Sequence, residues 1–372
     1  MDDEIVDRHD GATYAKAGVD AESEESALGG LLKWVQKSLS LRDGVGAVQL
    51  PIGYFANVVS LGGNMGLAIS TDGVGTKLLV AQMMGKYDTV GIDCVAMNVN
   101  DVLCVGAEPI SMVDCISVQE ARPDLLEELG HGLFKGAELA RINIPAGEIA
   151  QVREIITGER EGYGFDLVGT CVGLVPLDRI VIGQDIEAGD AIVGLRSSGV
   201  HSNGLTLARS VFFKKAGFGP YTFVPELGQT VGEELLEPTR IYVPEVMEML
   251  KSGLHVKALM HITGDGLLNV LRVKAAMGFV LERFPEPPPI FAVMQRLGEV
   301  TDEEMFRVFN MGIGFCVVVP PAEAQLAIDI ARRHGVEAHE LGYAVADPER
   351  KVVVAPYGLV GKGTSFSKWG RA

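Results

Sequence analysis

A chain of 372 residues is long for a single core, and two domains is the expected division. Its 47% hydrophobic and 22% charged content describes a soluble globular protein with ample material to bury. A formal net charge of −17 leaves no basic stripe for phosphate backbones or anionic lipid, which excludes nucleic acid and membrane surfaces as partners.

Taken from the N-terminus, the acidic opening "MDDEIVDRHD" lacks the basic and apolar character of a targeting segment. Residues 1–60 are polar and irregular apart from one amphipathic helix near "ALGGLLKWVQKSLSL". Short β-rich runs then alternate with helical ones. "LAIST" predicts a strand, "TKLLVAQMM" a helix and "DTVGIDCVAMNVNDVLCVG" a longer helix. "PISMVDCISV" predicts a strand, "DLLEELGHGLFKGAELARI" a helix, and "FDLVGTCVGLV" a strand ending near Val175.

The second half repeats this grammar. "DAIVGLRSS" predicts a strand, "GLTLARSVFFKKAG" a helix, and "LLEPTRIYVPEVMEMLKSG" a loop and helix. "GDGLLNVLRVKAA" and "TDEEMFRVFN" read as helical, "GIGFCVVVP" as a strand, and "PAEAQLAIDIARRHG" as a helix stopped by glycine. The boundary falls near "PLDRIVIGQDIEAGD", which divides the chain into α/β halves at 1–176 and 177–372. The tail "GLVGKGTSFSKWGRA" reads as a loosely held end. Apolar runs such as "GIGFCVVVPP" are too short to span a bilayer. Five cysteines without CxxC spacing (Cys94, Cys104, Cys115, Cys171, Cys316) read as reduced thiols of a cytoplasmic protein.

Three constellations carry chemistry. In "STDGVGTK", Asp72 ends a strand, where α/β proteins usually bind ligands. Gly73 and Gly75 let the backbone approach a phosphate, Thr76 caps a helix whose N-terminus favours an anion, and Lys77 adds a mobile positive charge. An ordinary turn with an exposed lysine fits the same residues. In "GIDCVAMNVND", Asp93, Asn100 and Asp101 stand at i, i+7 and i+8 on one side of a helix. Roughly 12 Å separate the two aspartates along the axis, a span suited to carboxylates spread along a triphosphate. In "RSSGVHSNG", Ser198, Ser202 and Asn203 are small donors before a helix, and His201 is placed to orient a ligand or exchange protons near neutral pH.

Weaker signals surround these. Glu148 follows a strand in "IPAGEIAQ", fit either to hold a metal or to start a helix, and Asp114 is an unusual acid inside a strand. "HITGDG" and "FNMGIG" are glycine loops suited to backbone–ligand contact or to tight turns. "GLVGKGTS" imitates a phosphate-binding loop but fails on spacing, and no zinc-protease, α/β-hydrolase or dinucleotide fingerprint stands in a convincing context.

The ordered set "YAKAGVD", "STDGVGTK", "GIDCVAMNVND", "GAEP", "SSGVHSNG", "LLEPTRIYV", "HITGDG" and "FNMGIG" closely resembles the AIR synthetase (phosphoribosylformylglycinamidine cyclo-ligase) family, from about residue 14 to about residue 345. The resemblance implies an α/β fold of the α+β type with two domains, the N-terminal ones pairing as a homodimer through a shared β-barrel. It implies ATP, Mg²⁺ and formylglycinamidine ribonucleotide as ligands, and ring closure to aminoimidazole ribonucleotide with release of ADP and phosphate. By the same resemblance Asp72, Asp93, Asp101 and Glu148 hold Mg²⁺, with Gly73, Gly75, Thr76 and Asn100 also at the nucleotide. Lys77 neutralises phosphate charge, and Ser198, His201, Ser202 and Asn203 face the substrate. Asp114 and Arg240 are second-tier members.

Departures from the family pattern are "DAESEES" for "DAGN", "AGEIAQVRE" for "GGETAEMPG", and Asp265 for a glycine in "TGDG". Three sister enzymes fit less well. Selenophosphate synthetase wants a reactive early cysteine, the hydrogenase maturation member wants a C-terminal cysteine, and thiamine-monophosphate kinase would lack "SSGVHSNG". The alternative of another class is a divergent paralogue that binds ATP but is regulatory or acts on another substrate.

Overall fold

The computed structural model describes residues 11–18 and 21–370, so the acidic opening and the end of "YAKAGVD" lie outside the described residues. Helix α1 (Ala21–Val35) runs into a 3-10 turn (Gln36–Leu41). The first half then supplies β1 (Asn57–Gly62), β2 (Met65–Gly73), α2 (Lys77–Met84), α3 (Asp88–Leu103), β3 (Glu108–Val118), α4 (Pro123–Ala140), β4 (Asn143–Gln151) and β5 (Phe165–Pro176). Its five strands form one sheet in the order β1-β2-β5-β3-β4, antiparallel except for the β3/β4 pair.

Alternation decides which side of this sheet is covered. Every second residue of β5 from Phe165 to Val175 is buried, on the side where α3 packs. The other face carries Val59, Leu67, Ile69, Val113, Val172 and Leu174, aligned across the strands and none of them fully buried. One face of the sheet is therefore core and the other is open.

The second half contributes β6 (Ala191–Arg196), α5 (Leu205–Arg209), β7 (Phe223–Val224), β8 (Gln229–Thr230), α6 (Val231–Leu235), α7 (Val243–Lys251), β9 (Ala258–His261), β10 (Met277–Leu281), α8 (Pro289–Gly298), α9 (Asp302–Val308), β11 (Ile313–Val319), α10 (Ala324–Arg333), β12 (Ala338–Ala346), β13 (Val352–Val354), β14 (Leu359–Lys362) and β15 (Ser365–Lys368). Eight of these strands build a mixed sheet in the order β15-β14-β13-β10-β12-β6-β11-β9. Strand β11, which lies between β6 and the edge strand β9, is buried at all seven positions, as its unbroken apolar run requires.

Four sequence expectations are corrected. The tail is not loose: β14 and β15 extend the sheet, Phe366 packs on Phe306, and the Trp369 N–H donates to the Gly358 carbonyl. "GLTLARSVFFKKAG" is a five-residue α-helix continued by a π-helical turn (Ser210–Lys215). "GDGLLNVLRVKAA" forms only a 3-10 turn (Gly266–Leu271), because Gly266 enters it at a φ of 53°. Glu148 does not follow a strand but lies inside β4, exposed and opposite Cys115. All five cysteines are free thiols, four of them buried. Among the described residues no helix is long and apolar enough to cross a membrane.

Candidate active site

Helix α3 positions most of the polar candidates. Asp93, Asn100 and Asp101 do share one side of it, and that side faces the second half of the chain. The Lys77 ammonium lies 2.9 Å from the Asp93 carboxylate, and both side chains are completely buried. Lys77 also donates to the Glu237 carbonyl at 2.6 Å. Asp93 further accepts from the Thr239 amide at 2.7 Å and the Thr239 hydroxyl at 2.6 Å. Lys77 is thus neither a mobile nor an exposed cation. It satisfies an acid that would be costly to bury alone.

Two turns along, Asn100 clamps the same loop. Its amide donates to the Arg240 carbonyl at 2.9 Å, and its oxygen accepts from the Tyr242 N–H at 3.0 Å. Asp101 meets His261, at the end of β9, with 2.9 Å between its carboxylate and Nδ1. The segment 237–242 is therefore laced to α3 along its length.

Asp72 is held differently. Asn98 reads its backbone twice, accepting from the Asp72 N–H at 3.0 Å and donating to its carbonyl at 3.1 Å. The Asp72 carboxylate accepts from the Gly73 amide at 2.8 Å. Burial first, and then the nearby charge of Asp101, push its pKa up to about 6. Asp72 and Asp114 both stand opposite Gly169 of β5, where any Cβ would run into Asn98, Met112 and Cys94. Burial also raises Asp114.

The third constellation closes over this strip. The Ser198 hydroxyl donates to the Pro238 carbonyl at 2.5 Å, and Ser202 shares a 3.0 Å hydrogen bond with Thr239. His201 is buried at a φ of 62°, and its Nε2 accepts from the Ser198 N–H at 3.2 Å. That bond places the proton on Nδ1, a buried atom with no partner among the described residues. Burial chiefly, and then the charges of His261, Lys77 and Arg240, hold the His201 pKa well below 6.5. The ring is neutral at pH 7, a hydrogen-bond donor and not the titrating group expected of it. The Asn203 amide nitrogen is likewise buried and unpartnered.

Thr76 stands just before α2 but its side chain does not cap it; its hydroxyl lies 2.9 Å from that of Thr206, at the start of α5. The loops 72–76 and 197–204 are thereby joined, with Gly73 and Gly75 inside the first. Glu148 stands apart, one residue on from Gly147, which faces Asp114. Asn98, Thr239 and His261 were missed as site members by sequence reasoning. His261 was seen only as the start of a glycine loop, and nothing local to Asn98 or Thr239 marks their long-range partners.

Among the described residues no three His, Cys, Asp or Glu side chains converge closely enough to hold a metal ion by themselves. A family model for AIR synthase related protein, N-terminal domain, matches residues 53–175, and one for the C-terminal domain matches residues 187–355. The chain belongs to the AIR synthase family.

Its relatives agree along almost the whole length. A phosphoribosylformylglycinamidine cyclo-ligase of Methanothermobacter thermautotrophicus is 46% identical over 330 residues, covering 89% of this chain and 93% of the relative. The cyclo-ligase of Pyrococcus furiosus is 44% identical over 349 residues, covering 93% and 98%. Solved structures share the AIR synthase fold at much lower identity. The hydrogenase maturation protein HypE of E. coli superposes with a TM-score of 0.56 at 17% identity, covering 80% of this chain and 85% of that one. T. maritima PurL complexed with ATP gives 0.53 at 17%, covering 82% and 45%. Of the departures from the AIR synthase pattern, Asp265 lines a surface cavity of about 470 Å³ with Arg272, Lys362 and Thr364.

Proposed function

We propose that this protein is the ATP-dependent cyclo-ligase that converts formylglycinamidine ribonucleotide to aminoimidazole ribonucleotide, with release of ADP and phosphate, in purine biosynthesis. The observation that carries this reading is 46% identity to a curated cyclo-ligase across nearly the full length of both chains. The formyl oxygen of the substrate is a poor leaving group. It attacks the γ-phosphorus of ATP, the bond to ADP breaks, and an imidate phosphate forms. The amidine-side nitrogen then attacks the formyl carbon, the C–O bond breaks, phosphate departs carrying that oxygen, and loss of a proton leaves the imidazole.

Such a sequence is accelerated mainly by positioning and charge compensation. Asp72 and Asp101 are the acids that fit Mg²⁺. The charge of Asp101 helps to raise the pKa of Asp72, and a cation held by both carboxylates would offset that repulsion. Two protein ligands suit an ion held otherwise by phosphate and water. Bound there, Mg²⁺ would offset the developing charge on the transferring phosphoryl group. Gly73, Gly75 and Thr76 offer backbone to the phosphates, and the Lys77–Asp93 pair and Asn100 hold the two halves in register around them. His201 and Asn203 direct their unpartnered N–H groups at the substrate, with Ser198 and Ser202 fixing that loop.

The homodimer belongs to the same reading. The open face of the first sheet has the apolar, aligned character of a surface that a second copy covers face to face, completing a barrel. Glu148 on the edge strand β4 and Cys115 opposite it on β3, both exposed, then lie toward the partner, and the domain division stays at 1–176 and 177–372. The free thiols suit a reducing, cytoplasmic setting.

Purified protein with ATP, Mg²⁺ and formylglycinamidine ribonucleotide is expected to yield aminoimidazole ribonucleotide, read by diazo coupling, with one ADP per product. ATP binding without any coupled product would overturn the assignment.

A further inference from the structure

None of the described side chains of helix α1, residues 27–35, is buried. Leu28, Leu31 and Val35 recur at helical spacing with Trp34 beside them, and all four are exposed, Trp34 at 68%. Gly29 and Gly30 sit within the helix, where each costs about 1 kcal/mol, and a Cβ at either would meet nothing within 4 Å. The 3-10 turn that follows buries none of its residues. A 15-residue helix with two internal glycines and a bare apolar stripe is not stable by itself in water. Something outside the chain's own core must cover it.

The attachment of the arm identifies the cover. Immediately after the turn, residues 46–49 run beside β1. The Gly46 N–H donates to the Ser60 carbonyl at 2.7 Å, and the Gln49 N–H to the Val58 carbonyl at 2.8 Å. The arm therefore springs from the rim of the open sheet face. Fifteen α-helical and six 3-10 residues span roughly 35 Å. A five-stranded sheet is roughly 20–25 Å wide, so the arm can traverse one.

We infer that residues 21–41 form an exchanged arm, whose apolar stripe packs on a second copy of this chain next to the covered sheet face. By two-fold symmetry each copy gives one arm and receives one. Leu28, Leu31, Trp34 and Val35 make the contact, and Gly29 and Gly30 allow close backbone approach. This inference rests on the homodimer reading above.

The chain has only two tryptophans, so Trp369→Phe leaves Trp34 as sole reporter. Sedimentation velocity on that protein gives its oligomeric state, and acrylamide quenching gives the exposure of Trp34. The expected result is a dimer whose Trp34 is quenched several-fold less than a free indole. The monomer, obtained with the added face substitutions Ile69→Lys and Val113→Lys, should quench like the free indole. Should those substitutions prevent folding, dilution through the dissociation range supplies the monomer instead. A dimer with freely quenched Trp34 overturns the arm and leaves the dimer standing. A protein that stays monomeric at every concentration overturns both, whether or not Trp34 is shielded.

Discussion

Lys77→Met tests the seam between the two halves most directly. The substitution keeps the length of the apolar stem and removes the charge that sits 2.9 Å from Asp93. Asp93 keeps its two hydrogen bonds from Thr239 but is left as an uncompensated charge with no exposed surface. Breaking a buried pair from one side costs roughly 3–5 kcal/mol, out of a total stability of roughly 5–15 kcal/mol. Adding Asp93→Asn removes the orphaned charge while its oxygen still accepts from Thr239, so the double variant should regain about 2 kcal/mol or more. Urea unfolding followed by circular dichroism, compared at a common denaturant concentration, measures both. A single variant within about 1 kcal/mol of the parent, or a double variant no better than the single, would refute the pair as the latch of the seam.

Other predictions concern the acids and the His201 pocket. The Asp72 carboxyl is raised from 3.8 to about 6 on folding, so its contribution is complete below pH 4 and lost as pH rises to 6. Asp72→Asn should therefore gain thermal stability over the parent across that window, by up to about 3 kcal/mol, and calorimetry at pH 4 and pH 7.5 without ligand reads it; an equal gap at both values counts against the assignment. Asp101→Asn should weaken Mg²⁺-dependent ATP binding by about tenfold or more while the melting temperature barely moves, as titration calorimetry would show; unchanged affinity removes Asp101 from the site. At Gly314, a Cβ would collide with the Tyr242 hydroxyl and with the His201 ring. Gly314→Ala should accordingly lower kcat by at least about tenfold in the diazo-coupling assay, and a fully active variant would show that His201 need not be held in place.

How much of this was readable in advance divides along a physical line. Helical period and glycine stops located α2, α3, α4 and α10, because amphipathic faces are written locally. The same period put Asp93, Asn100 and Asp101 on one side of α3 but could not say what that side meets. Their partners, Thr239, Tyr242 and His261, lie more than a hundred residues away in sequence. Lys77 shows the cost of that blindness: a lysine after a glycine loop reads as a free cation, and only the fold shows the carboxylate it is buried against. The tail was misread for a related reason. Four-residue strands such as β14 and β15 have little pattern of their own and are fixed by the sheet they join.

The lacing of α3 constrains how the molecule can move. Asp93, Asn100 and Asp101 bind Thr239, the segment 240–242 and His261 at successive levels along this helix, and Lys77 at the start of α2 adds a bond to Glu237. Separating the halves would sever all of these contacts together. Any rocking of the halves would therefore have to release these bonds as a set, the Thr76–Thr206 bond with them, so the seam acts as a single catch.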